Sequence, residues 1–381
     1  MSSNSEAQLT QDIIIGKKYS FTSTVLGEER AYWVYLPMSY NDTSYARKHY
    51  PVLYLLDGEE HFHSASGVIG HMSGMGSGQI PELIVVAISN TDRIRDMTPT
   101  HTRMSFEGKN VAFLNTSGGG DTFLQFIRDE LCPHIEANYR TTLYRIFVGH
   151  SVGGLLALHA LLTSPEIFQA YIAIDSSLWW DNQLLVRELE NKRQDLQGVV
   201  YISLANHTYG EEHDPEKMEA SARAFVKGLE RFKSEKFRFT LEYFKNEDHG
   251  SVPLLSLYHG LLYIFEGYKP PRNVIESPSI LVSHFENLAK KLNVDSRSPE
   301  AFTDMLGHVV LEEFQDVDRA IEFFKLNVAN YPDSPHAHSS LAKAYKMKDE
   351  KQLAITHYEK SLTLNPNDET VKDELQKLRG S

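Results

Sequence analysis

The first two-thirds of the chain alternates short apolar runs with longer amphipathic segments. The runs are nearly continuous and rich in β-branched and aromatic residues, which is typical of strands buried on both faces of a parallel sheet. Seven runs are predicted as strands: residues 29–36, 51–57, 83–89, 144–149, 171–175, 199–204 and 237–244. Amphipathic segments between them, such as residues 123–137, predict helices. The pattern therefore predicts an α/β protein with a mostly parallel sheet covered by helices.

The pattern changes after about residue 270, where proline-containing breakers at 269–273 and 276–279 precede segments of purely helical period. An Ala-Ile dipeptide and a dipeptide that ends in proline recur at a spacing typical of tetratricopeptide helix pairs. These are Ala320-Ile321 with Ala354-Ile355, and Tyr331-Pro332 with Asn365-Pro366, each pair 34 residues apart. We therefore predict an α/β domain over residues 1–275 and a small all-helical, tetratricopeptide-like domain over residues 276–381.

The composition narrows the possible partners. A formal net charge of −13 disfavours a nucleic-acid or anionic-membrane surface, because both need basic patches. The single cysteine, Cys132, excludes an internal disulfide and is predicted to be a buried structural thiol. The polar N-terminal residues lack the features of a signal peptide. The expected compartment is the cytoplasm, or the periplasm if the native chain carries a leader.

The strongest candidate for chemistry is Ser151, in the segment Gly-His-Ser-Val-Gly at residues 149–153. An apolar run precedes it and a helical segment, residues 155–162, follows. Strand, Gly-x-Ser-x-Gly and helix together are the setting of a nucleophile elbow, which presents a serine hydroxyl above the sheet. We therefore predict that Ser151 is a nucleophile.

A serine hydroxyl needs a base, and the base needs a group that orients it. His249 stands on a loop after the strand at 237–244, in the order nucleophile then base. The orienting acid is expected after the strand at 199–204, where Glu211, Glu212 and Asp214 are candidates. Glu211 is favoured, Asp248 is less suitable because it adjoins His249, and a Ser-His dyad is the alternative.

Two backbone N–H groups must stabilise the developing oxyanion. One is predicted from Val152, directly after the nucleophile. The other is predicted from Gly58, after the strand at 51–57. Residues 61–80, rich in Gly, Ser, His and Met, are either a mobile lid or a long loop and helix.

Two segments after strand ends are candidates for substrate contact. Arg93 and Arg95 have planar guanidinium groups that bind carboxylate or catecholate oxygens, but they are equally well explained as structural partners of Asp92 and Asp96. Trp179 and Trp180 are adjacent and predict an aromatic wall for a pocket. Packing is the alternative for one of the two.

Several segments together resemble the putative-esterase (esterase D-like) family of α/β-hydrolases: residues 32–37, 51–58, 149–154 and 177–181. Residues 93–99 and the tryptophan pair resemble its branch of enterobactin and salmochelin siderophore esterases. The resemblance covers about residues 12–268. It implies an α/β-hydrolase fold, Ser151 as nucleophile, His249 as base, and chemistry without a metal or other cofactor.

The sequence thus predicts a serine hydrolase that cleaves carboxylic esters, with siderophore trilactones as candidate substrates. The helical tail lies outside the core family pattern. It is predicted either to contact a protein partner or a second copy, or to serve stability alone. The alternatives are a hydrolase-like scaffold that binds proteins through its repeats, and a hydrolase of other acyl groups such as thioesters.

Overall fold

A computed structural model describes residues 12–74, 77–105, 107–207, 215–292 and 296–380. The strands in these ranges are β1 (Lys17–Ser23), β2 (Glu28–Tyr35), β3 (Tyr50–Leu55), β4 (Ile84–Ile88), β5 (Thr141–His150), β6 (Ala170–Ile174), β7 (Gly198–Ala205) and β8 (Phe237–Phe244). The helices of the first two-thirds are α1 (Gly58–Ser73), α2 (Arg93–Met97), α3 (Gly120–Phe126), α4 (Cys132–Asn138), α5 (Val152–Thr163), α6 (Trp180–Asn191), α7 (Pro215–Leu229) and α8 (Val252–Ile264). The last third contains α9 (Pro278–Leu292), α10 (Glu300–Glu312), α11 (Val317–Asn330), α12 (Pro335–Met347), α13 (Lys351–Leu364) and α14 (Glu369–Gly380).

The described strands form one sheet in the order β1-β2-β4-β3-β5-β6-β7-β8. The pairs from β4 to β8 are parallel, and β2 joins β4 and β1 in antiparallel pairs. The predicted α/β class and mostly parallel sheet are confirmed. The sequence analysis missed β1, because this edge strand is mostly exposed and carries polar residues in place of an apolar run.

The sheet is buried on both faces, which explains the continuous apolar runs. Every residue of β3, β4 and β6 is buried. Helices α1 and α8 pack on one face, and α3 to α7 contribute to the apolar cluster on the other. Of the possible lid at 61–80, residues 61–73 belong to α1, whose Phe62 and Ile69 are buried, while residues 75–76 lie outside the described ranges.

The predicted helix at 123–137 is confirmed, with one irregularity. Residues Ile127–Leu131 form a π-helical turn between α3 and α4. Pro133 follows in the first turn of α4, where it lacks an N–H and its ring would clash with the carbonyl four residues earlier in a regular helix. The wider turn relieves that conflict. Cys132 at the junction is buried, as predicted.

The last third is helical, and its helices pack onto the rest of the protein. One apolar cluster extends from the sheet through α8 to Phe285 of α9 and Val310 of α10. A hydrogen bond of 2.6 Å joins the amide of Ala46, in the loop before β3, to the Glu300 carboxylate. Helix α10 packs on α11, and α12 on α13, in the order that the 34-residue spacing predicts. The domain boundary at 275/276 and the tetratricopeptide assignment stay predictions.

No helix in the described part of the chain combines the length and the apolar character that crossing a membrane requires.

The shared cluster predicts that the helical extension and the sheet unfold together. Phe285→Ala should cost about 3–5 kcal/mol, since it removes a buried aromatic ring. All three tryptophans lie before residue 181, so their fluorescence during urea unfolding reports on the sheet region alone. We expect the midpoint of that fluorescence transition to fall in Phe285→Ala.

Phe314→Ala is the matched control, because the Phe314 ring is 56% exposed. Its expected effect is about 1 kcal/mol or less. A Phe285→Ala variant that loses helical circular dichroism early, with an unchanged tryptophan transition, would contradict a shared cooperative core.

Candidate active site

The carboxyl ends of β3, β5 and β6 place three polar residues at one edge of the sheet. Ser151 and Asp175 directly follow β5 and β6, and Asp57 stands two residues after β3. All three have positive φ, at 54°, 60° and 41° respectively, which is unfavourable for residues other than glycine. Backbone strain of this kind clusters at functional sites. This edge of the sheet is therefore the candidate active site.

Ser151 occupies the sharp turn from β5 to α5, with φ 60° and ψ −117°. Its N–H donates to the carbonyl of Ile174 over 2.9 Å, and its carbonyl accepts from the N–H of Ser177 over 3.0 Å. Two hydrogen bonds thus hold the strained residue from both sides. The Ser151 Oγ lies 3.4 Å from the Ser177 Oγ.

The glycines of the turn are required by close backbone approach. A Cβ on Gly149 would lie 2.2 Å from the carbonyl oxygen of Gly153. A Cβ on Gly154 would lie 2.4 Å from the Ser176 Oγ. The strand can reverse into α5 this tightly only because these positions have no side chain.

His249 lies on the loop between β8 and α8, where the sequence placed it. Its Nδ1 donates to the Asp175 Oδ2 over 2.5 Å. That bond fixes the ring and leaves Nε2 as the nitrogen able to accept a proton. The His249 ring centroid is 4.3 Å from that of His150, the residue before Ser151. The structure therefore brings His249 to the serine turn.

Asp175 is fully buried, yet its carboxylate has three hydrogen-bond donors. Besides His249, the Nε2 of His207 and the amide of Ala205 each donate to Oδ1 over 3.0 Å. Burial alone would raise the pKa of Asp175, but the bonds from His207, His249 and Ala205 outweigh it and hold the pKa well below its ordinary value. Asp175 is therefore an ionised partner for His249 at neutral pH.

The carboxylate that bonds His249 thus follows β6, one strand earlier than the position expected for the acid. The three candidates for the acid lie outside the described residues: Glu211, which was favoured, Glu212 and Asp214. Asp175 was predicted to end a buried strand at residues 171–175, so it was not among the candidates for the acid. The available signal was a charged residue ending an otherwise apolar strand beside Ser176 and Ser177. The less favoured Asp248 accepts from the amides of Gly250 and Ser251.

His150 is a second imidazole at the turn, and its environment keeps it neutral. Burial, followed by the charge of His249, lowers the pKa of His150 to about 3. A group this weakly basic is a poor general base at neutral pH. His150, Asp175 and His249 bring metal-ligating atoms within 4.8 Å of one another, and the ring contact of the two histidines with the hydrogen bond between His249 and Asp175 accounts for this proximity.

The two predicted oxyanion donors are the first residues of two helices, and these helices follow neighbouring strands of the sheet. Val152 is the first residue of α5, and Gly58 is the first residue of α1, after β3. The first amides of a helix have no partner within it, so they are available to an anion. A Cβ on Gly58 would lie 3.0 Å from backbone atoms of Ala87 and Ile88, which explains the glycine. Their role as donors stays a prediction.

The two candidate arginines pair with carboxylates of the chain. Arg93 donates to both oxygens of Asp57, at 2.6 and 2.9 Å, and to the carbonyl of His150 at 3.3 Å. Arg95 binds Asp96 and Glu28. Both arginines therefore pair with carboxylates of the chain, which is the alternative to substrate contact. The partner of Arg93 is Asp57, however, and not an aspartate next to it in sequence. Arg93 thereby links the end of β3 to the serine turn.

The two tryptophans differ in exposure. Trp180 is buried, and its Nε1 donates to Thr100 Oγ1 over 3.2 Å. Trp179 is partly exposed, two residues after Ser177. Residues 181–183 continue with three positive φ values, which set the direction of α6 after the pair. Trp180 thus packs, as the alternative allowed for one of the two, and a substrate contact for Trp179 stays a prediction.

A cavity of about 190 Å³ adjoins the serine turn, between α1 and α8. Leucines from β3 and α8 form most of its apolar wall, and His61, Ser64 and His150 add polar atoms. Space of this size accommodates a small ring or a short aliphatic group.

Comparison with known proteins places this site in a family. The family model described as "Putative esterase" matches residues 23–249, which span the serine turn, Asp175 and His249. The chain belongs to this esterase family. The predicted resemblance to it is therefore confirmed.

Two curated relatives of the chain are named as esterases. The chain is 30% identical over 174 residues to the siderophore triacetylfusarinine C esterase of Aspergillus fumigatus, covering 42% of this chain and 56% of that protein. It is 29% identical over 218 residues to the ferri-bacillibactin esterase BesA of Bacillus subtilis, covering 53% of this chain and 74% of that protein. The match to the fungal relative thus spans little more than half of its length.

A solved structure extends the similarity. The IroE-like serine hydrolase from Shewanella oneidensis is 29% identical, with a TM-score of 0.73. The superposition covers 82% of this chain and 99% of the Shewanella protein. The predicted α/β-hydrolase fold is therefore confirmed.

The serine turn predicts a sharp difference between two glycine substitutions. Gly149→Ala should destroy the turn, because the new Cβ would meet the Gly153 carbonyl. We expect insoluble protein or a large loss of stability in thermal unfolding. Gly67→Ala, in α1, is the control: a Cβ there meets nothing within 4 Å, and alanine stabilises a helix by up to about 1 kcal/mol. Equal thermal stability of the two variants would contradict the close approach.

Proposed function

We propose that the protein is a serine esterase in which Ser151 is the nucleophile, His249 the general base and Asp175 the orienting acid. The observation that carries the proposal is the 2.5 Å hydrogen bond between His249 and the buried Asp175, beside the strained Ser151. Membership of the esterase family supports the same reaction class.

In the first half of the reaction, the Ser151 Oγ attacks the ester carbonyl carbon while its proton passes to the His249 Nε2. The carbonyl π electrons move to the oxygen, where the amides of Val152 and Gly58 stabilise the negative charge. Collapse of this intermediate breaks the carbon–oxygen bond to the alcohol. The His249 proton goes to the leaving oxygen, and an acyl-enzyme remains.

In the second half, water attacks the acyl-enzyme. His249 accepts the proton of the water, and the same amides stabilise the second tetrahedral intermediate. Its collapse restores the Ser151 hydroxyl with the proton from His249 and releases the carboxylic acid. Asp175 stays ionised throughout and stabilises the imidazolium that forms in each half.

The substrate class that we propose is a small-molecule ester of the siderophore type, such as a trilactone. The names of the two curated relatives support this class. Partly exposed Trp179 and the apolar cavity beside the turn provide surfaces for a ring-bearing substrate. Any iron belongs to the substrate.

We propose the cytoplasm as the compartment, which cell fractionation would test.

Labelling by a fluorophosphonate tests the nucleophile and its acid. We expect stoichiometric modification of Ser151, located by mass spectrometry of the full-length protein. Asp175→Asn should slow labelling by about 10³- to 10⁴-fold, because the neutral amide neither fixes the His249 tautomer nor stabilises the imidazolium.

Asp121→Asn is the matched control, since Asp121 accepts a 2.7 Å bond from another buried imidazole, that of His159. Its labelling rate should stay within about twofold of wild type. Equal labelling of wild type and Asp175→Asn would refute the role of Asp175, and absence of labelling in folded wild type would refute the esterase.

A panel of esters tests the substrate class. We expect a ring-bearing trilactone to be hydrolysed with higher kcat/KM than p-nitrophenyl acetate or a short thioester. Trp179→Ala should raise KM for the trilactone by about 5- to 10-fold, from the loss of one aromatic contact, and leave p-nitrophenyl acetate unaffected. Phe314→Ala, on the extension, should change neither substrate. Preference for the thioester would instead support a hydrolase of other acyl groups.

A further inference from the structure

His207 is the side chain at this edge that the reaction described above does not use. It follows β7, the strand after which the sequence analysis expected the acid. Its side chain is 6% exposed, and its Nε2 lies 3.0 Å from the Asp175 Oδ1. After β7, where a carboxylate was expected, the structure thus has the imidazole of His207. That imidazole bonds to Asp175, which follows β6.

The two oxygens of Asp175 have different partners. Oδ2 accepts from His249 alone among the described residues, while Oδ1 accepts from His207 and from the amide of Ala205. Because Asp175 can only accept when ionised, the His207 Nε2 must carry a proton. A donor on Oδ1 draws negative charge away from Oδ2, and it also prevents rotation of the carboxylate.

We propose that His207 is a positioning residue that holds Asp175 and lowers the basicity of His249 through it. The inference rests on the proposed esterase function. His207 donates to one oxygen of the carboxylate, and the carboxylate orients His249 with the other. Charge shared with His207 is not available to stabilise the His249 imidazolium.

The direction of the effect follows from this competition. Without the His207 donor, the carboxylate keeps more charge on Oδ2 and binds protonated His249 more strongly. Protonated His249 cannot act as a base, so the acid limb of the pH–rate profile moves to higher pH. The direction is the same whether His207 donates as the neutral or the charged imidazole.

Other ionisable groups face this pair and stay constant in the test. His150 is neutral, and its ring contacts that of His249 at a tilt of 40°. His61 lies beyond His150, with ring centroids 6.0 Å apart, and Arg93 reaches the His150 carbonyl. Asp248 adjoins His249 and bonds the amides that follow it. None of these groups is altered in the variants below.

The experiment compares His207→Leu, which removes the donor, with His207→Gln, whose amide nitrogen replaces Nε2. His159→Leu is the matched control: His159 is 4% exposed and its Nε2 also bonds a carboxylate, that of Asp121. Each full-length variant is first tested for folding by thermal unfolding. The kcat and KM for p-nitrophenyl acetate are then measured from pH 5 to 9.

In His207→Leu we expect kcat to fall by roughly tenfold or more, from loss of a hydrogen bond to a buried charge, with KM kept. The acid limb of its profile should move up by about 0.5 to 1 pH unit. His207→Gln should restore both in large part. His159→Leu should lower the unfolding temperature without moving the profile. An unmoved profile in folded His207→Leu, or an equal shift in His159→Leu, would overturn the proposal.

A second readout is independent of turnover. In a Ser151→Ala background, with histidine labelled at ¹³Cε1, NMR follows the titration of His249, identified by its loss in His249→Asn. The His249 midpoint should move to higher pH with His207→Leu and return with His207→Gln. An unmoved midpoint would overturn this inference alone, whereas failure of wild type to hydrolyse any ester would overturn the proposed function alone.

Discussion

The buried negative charge of Asp175 is the constraint on which the rest of the site depends. An isolated carboxylate in such a position would cost many kcal/mol or become protonated. Two imidazoles and one amide satisfy it here: His207 and the Ala205 amide at the end of β7, and His249 on the loop after β8. The same bonds therefore join the ends of β6, β7 and β8 and fix their relative positions. The stability of this edge and its capacity for chemistry have a common physical origin.

A second network holds the opposite side of the edge. Arg93 connects Asp57, which ends β3, with the carbonyl of His150 just before the serine turn. Three strand-ending residues keep unfavourable backbone conformations because these charged bonds, and the parallel sheet below them, outweigh the strain. Substrate would thus meet groups that are already in place, so little reorganisation energy would be needed during the reaction.

The sequence contained most of the fold, because apolar runs and glycine contacts are local properties. The strand at residues 237–244 was predicted with its observed bounds, and Ser151 was identified from its own flanks. Asp175 and His207 were not identified from the sequence, because their contacts join loops that are distant along the chain. Asp175 and His249, for example, are over 70 residues apart. β1 was missed for another reason: an exposed edge strand has no apolar pattern to detect.

The apolar cluster shared between the sheet and the last helices has a consequence for synthesis. When residue 275 leaves the ribosome, α8 has no α9 or α10 to cover the apolar side chains that they bury in the finished protein. At typical elongation rates the remaining hundred or so residues take about 5–20 s to emerge. During that interval the nascent chain presents uncovered apolar surface, a target for chaperones. The sheet region and the helices that complete its apolar cluster therefore emerge from the ribosome at different times.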